Sequence, residues 1–198
     1  MALSSIFNVD KQLAFYGAYH SNNVNIFIHI ICVPMIVWSF QALVAPFVLP
    51  SFIPAYHYVI NDYLVFSTNY ATLMAVVYLA YYYLLEPMAA FIYTPQMVLM
   101  VLSATAFAQQ PEYIPKAAAL HAVCWIAQFI GHGVAEGRAP ALLDNLIGAV
   151  VLAPFFVHLE ILFGLGYRPA MHKRINNLVG LEIARIRKAE GDKQRKAS

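Results

Sequence analysis

Charged side chains are nearly missing from most of this chain, and this restricts the possible folds more than any other feature. Between Gln12 and Tyr167 the only basic residues are Lys116 and Arg138. Of the 198 residues, 61% are hydrophobic and 11% are charged, whereas soluble domains carry roughly 25% charged residues. Because so little charge cannot cover a water-exposed surface, the sequence predicts an integral membrane protein.

Five apolar runs have about the length of a membrane-crossing helix, which is about 20 residues. Proline should kink the first run at Pro34, could break the third at Pro95 and interrupts the fifth at Pro154. The sequence therefore predicts an all-α integral membrane bundle of four to five transmembrane or re-entrant helices. The runs cover approximately 24–46, 63–85, 88–107, 115–135 and 140–165.

The two ends of the chain differ from its apolar body. Residues 9–19 predict a short amphipathic helix at the membrane interface. Nine of the twelve Lys and Arg residues lie from Arg168 onward, and such a cluster is expected on the cytosolic side. We therefore predict a membrane-embedded catalytic domain, 1–167, and a basic cytosolic tail, 168–198. The tail should contact anionic lipid and not nucleic acid, because it lacks interleaved aromatic residues.

The targeting features indicate a multi-pass membrane protein. The segment 1–12 has no cationic stretch, short apolar core and cleavage site, so a removable signal peptide is not expected. Insertion must then use the internal helices. The last four residues, 195–198, resemble a basic retrieval signal of the endoplasmic reticulum, with lysine third from the end.

Ionisable side chains within apolar runs are functional candidates, because they are costly at membrane depth unless paired or hydrated. On a helix His132 and Glu136 are four residues apart and share one face. Each histidine is either a metal ligand or a hydrogen-bonded residue near a helix end, and spacing alone leaves both open. The polar candidates fall around the first, fourth and fifth runs: His20, Asn22, Asn25, His29, His121, His132, Glu136, Arg138, His158 and Glu160.

Several neutral imidazoles and a carboxylate in one confined site suit Fe(II), Zn(II) or a similar metal. His121 lies eleven residues before His132, on nearly the same face but roughly 16 Å away by the helical rise. His121 could therefore reach a shared cavity but not the same ion. Arg138 could pair with Glu136 or bind the carboxylate of an anionic substrate.

Two sequence blocks carry a resemblance to a known family. The first is the string FYGAYH at 15–20 with the polar residues that follow it, and the second is WIAQFIGH at 125–132 with Glu136, Arg138 and Pro140. Together they resemble the small endoplasmic reticulum membrane 2-hydroxy fatty acid dioxygenases of fungi, which act in phytosphingosine breakdown. The match covers nearly the whole chain.

The resemblance implies an Fe(II)-dependent α-oxidation. A 2-hydroxy fatty acid would react with O₂, lose its carboxyl carbon and leave a fatty acid one carbon shorter. The substrate can supply electrons through its α-hydroxy acid group, so no 2-oxo acid cosubstrate is needed. A site in the membrane would meet its acyl substrate without extracting it into water.

Residue roles follow from matching the family's blocks. The essential histidines of the family carry over as metal ligands onto His20, His29 and His132. Glu136 also matches and is predicted to be catalytic, with its ligation of the metal left open, and Arg138 is predicted to pair with the substrate carboxylate. In such a metal site Asn22 and Asn25 are predicted to orient the imidazoles around the metal.

Two other functions compete with this interpretation. A His-rich desaturase or hydroxylase usually needs more histidines than the seven present here. A non-enzymatic membrane transporter or scaffold could use His29, His132 and Glu136 as a proton or ion path. It would need a polar route through the bundle and would retain no stoichiometric iron.

Overall fold

The computed structural model describes residues 6–137 and 146–197, and this part of the chain is almost entirely helical. A π-helical turn, Gly131–Glu136, extends the fifth helix. The all-α prediction is therefore confirmed, with one small hairpin added. The elements in chain order are α1 (Val9–Tyr19), α2 (Asn23–Val44), β1 (His57–Asn61), β2 (Leu64–Ser67), α3 (Tyr70–Leu85), α4 (Pro87–Phe107), α5 (Tyr113–Ile130), α6 (Leu146–Gly164) and α7 (Pro169–Ala197).

Three helical segments in the described residues are long and apolar enough to cross a membrane. They are Asn23–Val44, Pro87–Phe107 and the stretch Tyr113–Glu136, which combines α5 with its π-helical turn. Two shorter apolar helices, Tyr70–Leu85 and Val150–Gly164, accompany them. The five predicted runs thus all contain helices, three of which have full spanning length.

The predicted start of the second run is wrong. Leu64–Ser67 forms strand β2, which pairs antiparallel with β1, and α3 begins only at Tyr70. The hairpin is rich in β-branched and aromatic residues on both sides of a turn, which favours strands. Asn69 then begins the helix, because its side chain accepts a hydrogen bond from the backbone N–H of Thr72 at 2.9 Å.

Helix α4 is continuous through Pro95, so the third apolar run is not broken at this proline. Helices α2 and α6 likewise contain Pro34 and Pro154 without ending. Proline is tolerated in apolar bundles because neighbouring helices and local adjustment compensate for the lost backbone hydrogen bond.

The predicted N-terminal helix is present as α1, and it packs against the first turns of α7. Arg174 forms an ion pair with Asp10, with Nε and Oδ2 2.7 Å apart. Met171 and Ile175 of α7 are buried in the main core. A Cβ at Gly17 of α1 would lie 2.6 Å from a methyl group of α7, which shows how closely the two helices approach. This packing holds the end of α1, where the functional site begins, against the bundle.

Candidate metal centre

Three histidines from three different elements meet inside the bundle. His20 follows the last residue of α1, His29 lies in the second turn of α2, and His132 lies in the π-helical turn. Their candidate ligand nitrogens all lie within 4.8 Å of one another. The three side chains are 5%, 2% and 4% exposed, respectively. This group could hold one metal ion.

Backbone carbonyls determine which nitrogen of two rings carries a proton. His20 Nδ1 lies 2.8 Å from the carbonyl oxygen of Tyr16, and His29 Nδ1 lies 2.9 Å from that of Asn25. Because a carbonyl oxygen only accepts, each Nδ1–H donates and each Nε2 keeps a free lone pair. His20 Nε2 is buried and has no hydrogen-bond partner among the described residues. A buried lone pair without a donor is what a metal ligand requires.

The protonation state of His20 also suits a metal ligand. Burial, followed by the neighbouring His29 ring, lowers the pKa of His20 well below its usual range. The ring of Tyr16 stacks on the imidazole at a centroid distance of 3.9 Å. The imidazole is therefore neutral at physiological pH and held in a defined orientation, as a metal ligand needs to be.

His132 approaches the other two histidines because Gly131 allows two helices to pack closely. A Cβ at Gly131 would lie 2.6 Å from Asn25 Oδ1 and 3.2 Å from Ile28 Cδ1. His132 Nδ1 is buried without a hydrogen-bond partner in the described part of the chain. The donor set thus offers neutral imidazole nitrogens, which fit Fe(II) and related metals.

Glu136 contacts the loop between α1 and α2 instead of joining the three histidines. Its carboxylate accepts hydrogen bonds from the backbone N–H groups of Ser21 at 3.1 Å and Asn22 at 2.9 Å. The Ser21 hydroxyl donates to the same carboxylate, as does the Asn25 amide at 3.3 Å. The metal-competent group among the described residues does not include Glu136. Its direct catalytic role stays a prediction, whereas its contact with the loop is a structural fact.

The two predicted asparagines support the site through a helix cap and a main-chain carbonyl. The Asn22 side chain accepts from the backbone N–H of Val24 at 2.9 Å and caps α2. Asn25 holds His29 through its main-chain carbonyl, and not through its side-chain amide. The expected orientation of His29 therefore comes from the backbone of α2.

The remaining candidates fall into two groups. Arg138 and Pro140 lie outside the described residues, so the pairing of Arg138 with a substrate carboxylate stays a prediction. His158 lies in the core, with its ring centroid 4.9 Å from that of Tyr93, and it is not part of the histidine group.

A cavity of about 220 Å³ leads away from the histidines. From His29 to Phe40 its wall follows one face of α2 over about 16 Å, at about 1.5 Å per residue. The facing wall is one face of α5 and includes His121, as expected from its spacing to His132. The residues of α5 and its π-helical turn that line the cavity are His121, Trp125, Gln128, Phe129 and His132.

Both ring nitrogens of His121 form hydrogen bonds within the protein. The indole N–H of Trp125 donates to His121 Nε2 at 2.9 Å. Since an indole N–H only donates, the proton of His121 is on Nδ1, which donates to Ser39 Oγ at 2.9 Å. The cavity wall at this depth therefore offers a ligand an apolar surface.

An apolar groove adjoins the cavity at its far end and shares four lining residues with it. The groove extends past Val44 to Phe47 and Tyr70. Cavity and groove together form a long apolar slot with the histidines at one end. The residues that line both are Phe40, Met74, Tyr78 and Val150.

Sequence reasoning assigned no role to Gln128 or Ser21. Gln128 stands four residues before His132 in the second sequence block, so helical spacing could have placed it on the same face. No sequence signal predicts the contact of Ser21 with Glu136, because the two residues are 115 positions apart.

Fold and site together define a helical membrane protein with a buried three-histidine centre at the end of an apolar slot. The chain belongs to the Mpo1-like family, described as 2-hydroxy-palmitic acid dioxygenase Mpo1-like, whose model matches residues 6–165. The family resemblance predicted from the two sequence blocks is therefore confirmed.

The chain is also similar to a characterised yeast protein. It is 30% identical over 188 residues to the 2-hydroxy-palmitic acid dioxygenase MPO1 of Saccharomyces cerevisiae, an alignment that covers 92% of this chain and 95% of the yeast protein. No solved structure matches the chain.

Proposed function

We propose that this protein is a non-haem Fe(II) dioxygenase that converts 2-hydroxy fatty acids into fatty acids one carbon shorter in the endoplasmic reticulum membrane. The observation that carries the proposal is the convergence of three buried histidines at the end of an apolar slot. Substrate and O₂ balance as shortened fatty acid, CO₂ and water, so no external reductant enters the overall reaction. The name of the yeast relative supports the same substrate class.

The metal would be held by His20, His29 and His132. Bound Fe(II) supplies the capacity to activate O₂. The carbonyls of Tyr16 and Asn25 orient His20 and His29, and burial keeps the His20 imidazole neutral by lowering its pKa. Three ligands leave coordination positions for the hydroxy acid and for O₂.

The apolar slot orients the substrate. Both ring nitrogens of His121, which lines the slot, are hydrogen-bonded to Ser39 and Trp125. The slot therefore favours an alkyl chain at this position. The carboxylate and 2-hydroxyl group then lie at the histidines, where Arg138 is proposed to pair with the carboxylate. The substrate reaches this slot from the bilayer, and α7 lies on the cytosolic side in contact with anionic lipid. An ion path is disfavoured because the slot beyond His121 is apolar.

The test is purification in detergent without O₂, followed by metal analysis and a turnover assay with 2-hydroxypalmitate under air. We expect roughly one iron per chain and the acid shortened by one carbon. His29→Ala and His132→Ala should lose both, whereas His57→Ala, an exposed position in β1, should keep both. A folded wild-type protein without iron and without product would exclude the dioxygenase and favour a transporter or scaffold.

A further inference from the structure

We propose that Gln128 binds the substrate carboxylate through the N–H of its side-chain amide and so positions the 2-hydroxy acid beside the three histidines. Because the ligand is the substrate of the proposed function, this assignment rests on that function. It adds a specificity residue that contacts the head of the substrate.

Gln128 is a buried donor without an acceptor. Its side chain is 7% exposed and lines the cavity. Its Nε2 has no hydrogen-bond partner within the described part of the chain. Buried polar groups are nearly always paired, since burial removes their hydration without replacing it. An acceptor brought by a ligand would satisfy this amide.

The position of Gln128 indicates which end of the ligand it meets. Gln128 of α5 and His132 of the π-helical turn are four residues apart, about 6 Å along the helix axis, and both line the cavity. The next polar side chain away from the histidines, His121, already has both ring nitrogens hydrogen-bonded. The unpaired amide is therefore next to the histidines and not beside the alkyl part of the slot.

The chemistry of the three unpaired groups is complementary. His20 Nε2 presents a lone pair and suits a cation, and His132 Nδ1 is a second ring nitrogen without a partner among the described residues, whereas Gln128 Nε2 presents N–H groups and suits an anion. A carboxylate has two oxygens with about four acceptor sites, so one oxygen can accept from Gln128 while the other faces the histidines. An alcohol head group in the same place would provide a neutral and weaker acceptor.

The experiment compares two ligands that differ only in this feature. Binding of 2-hydroxypalmitate and of 1,2-hexadecanediol is measured without O₂ on the purified protein in detergent, by calorimetry and by tryptophan fluorescence, because one of the two tryptophans, Trp125, lines the cavity. The variants are Gln128→Met and Gln128→Glu. Gln128→Met keeps an unbranched side chain without the amide. Gln128→Glu replaces the N–H donor with a carboxylate that repels the carboxylate of the substrate.

Gln41→Met is the matched control. Gln41 is a second buried glutamine, but its amide N–H donates to Met97 Sδ and it does not line the cavity. Equal iron content and an unchanged elution volume show that each variant is folded. Should Gln128→Met fail to fold, the nearly isosteric Gln128→Glu carries the test.

We expect Gln128→Met to weaken binding of 2-hydroxypalmitate about ten- to a hundredfold, with the diol unaffected. Gln128→Glu should weaken the acid further, and Gln41→Met should change neither ligand. In turnover under air, KM for the acid should rise more than kcat falls.

Two results overturn the assignment and leave the proposed function intact. One is unchanged acid binding in both Gln128 variants, and the other is an equal loss for acid and diol, which would make Gln128 a packing residue. A folded wild-type protein that binds neither ligand and forms no product would instead remove the proposed function, and this assignment with it.

Discussion

The carboxylate of Glu136 accepts a hydrogen bond from the backbone N–H of Asn22 at 2.9 Å, although the two residues are 114 positions apart. Through this contact the π-helical turn that carries His132 is fastened to the loop that follows His20. We therefore expect the distance between His20 and His132 to depend on Glu136, even though its carboxylate is not in the metal-competent group.

Glu136→Gln should weaken iron binding about ten- to a hundredfold, as is typical when partners that support metal ligands are removed. An amide would place N–H₂ where the carboxylate now faces backbone N–H donors. Iron titration under anaerobic conditions measures the effect. Glu112→Gln is the control, because Glu112 is exposed and forms an ion pair with the exposed Lys116. Unchanged iron affinity would show that Glu136 does not position the histidines.

Metal binding should stabilise the fold if His20, His29 and His132 hold the same ion. At a free metal concentration of about 100 times Kd, the free energy of unfolding rises by about 2.7 kcal/mol. We expect Fe(II) to raise Tm in detergent for the wild type and for His57→Ala, but not for His20→Ala. A similar rise in all three proteins would place the metal elsewhere.

Gly131→Ala should destabilise the protein, because the new Cβ would lie 2.6 Å from Asn25 Oδ1 in a tightly packed interface. Such overpacking costs typically about 1–3 kcal/mol, and separation of α2 from α5 should also weaken metal binding. Thermal unfolding and iron content are the measurements. Gly133→Ala in the same turn is the control, since nothing lies within 4 Å of a Cβ there. Equal stability of both variants would contradict close packing at Gly131.

Phe40 should limit the length of the acyl chain, because it lines both the inner cavity and the outer groove. Phe40→Ala is expected to shift preference toward longer 2-hydroxy acids, and Met74→Trp toward shorter ones. Competition between 2-hydroxy acids of increasing length measures the shift. Phe91→Ala, an exposed position on α4, should leave the preference unchanged. An unchanged profile in Phe40→Ala would show that the chain takes another path.

Much of the architecture was predictable because it depends on local patterns. Runs of apolar residues long enough to cross a bilayer predicted the helices, and helical spacing allowed His121 to reach the cavity that His132 also lines. The hairpin that ends at Ser67 was missed because hydropathy does not separate a short apolar strand from the start of a helix. The identity of the ligands and the roles of Glu136 and Arg138 stay predictions.

The sequence by itself determined the membrane bundle, the family and the histidines that were candidates, because each depends on composition, period or a contiguous block. Only the tertiary structure decided that Glu136 contacts Ser21 and Asn22 and that Gln128 Nε2 has no acceptor among the described residues. These are contacts across many residues or absences of contact. They depend on how separate helices pack, and the spacing of residues within one helix does not contain that information.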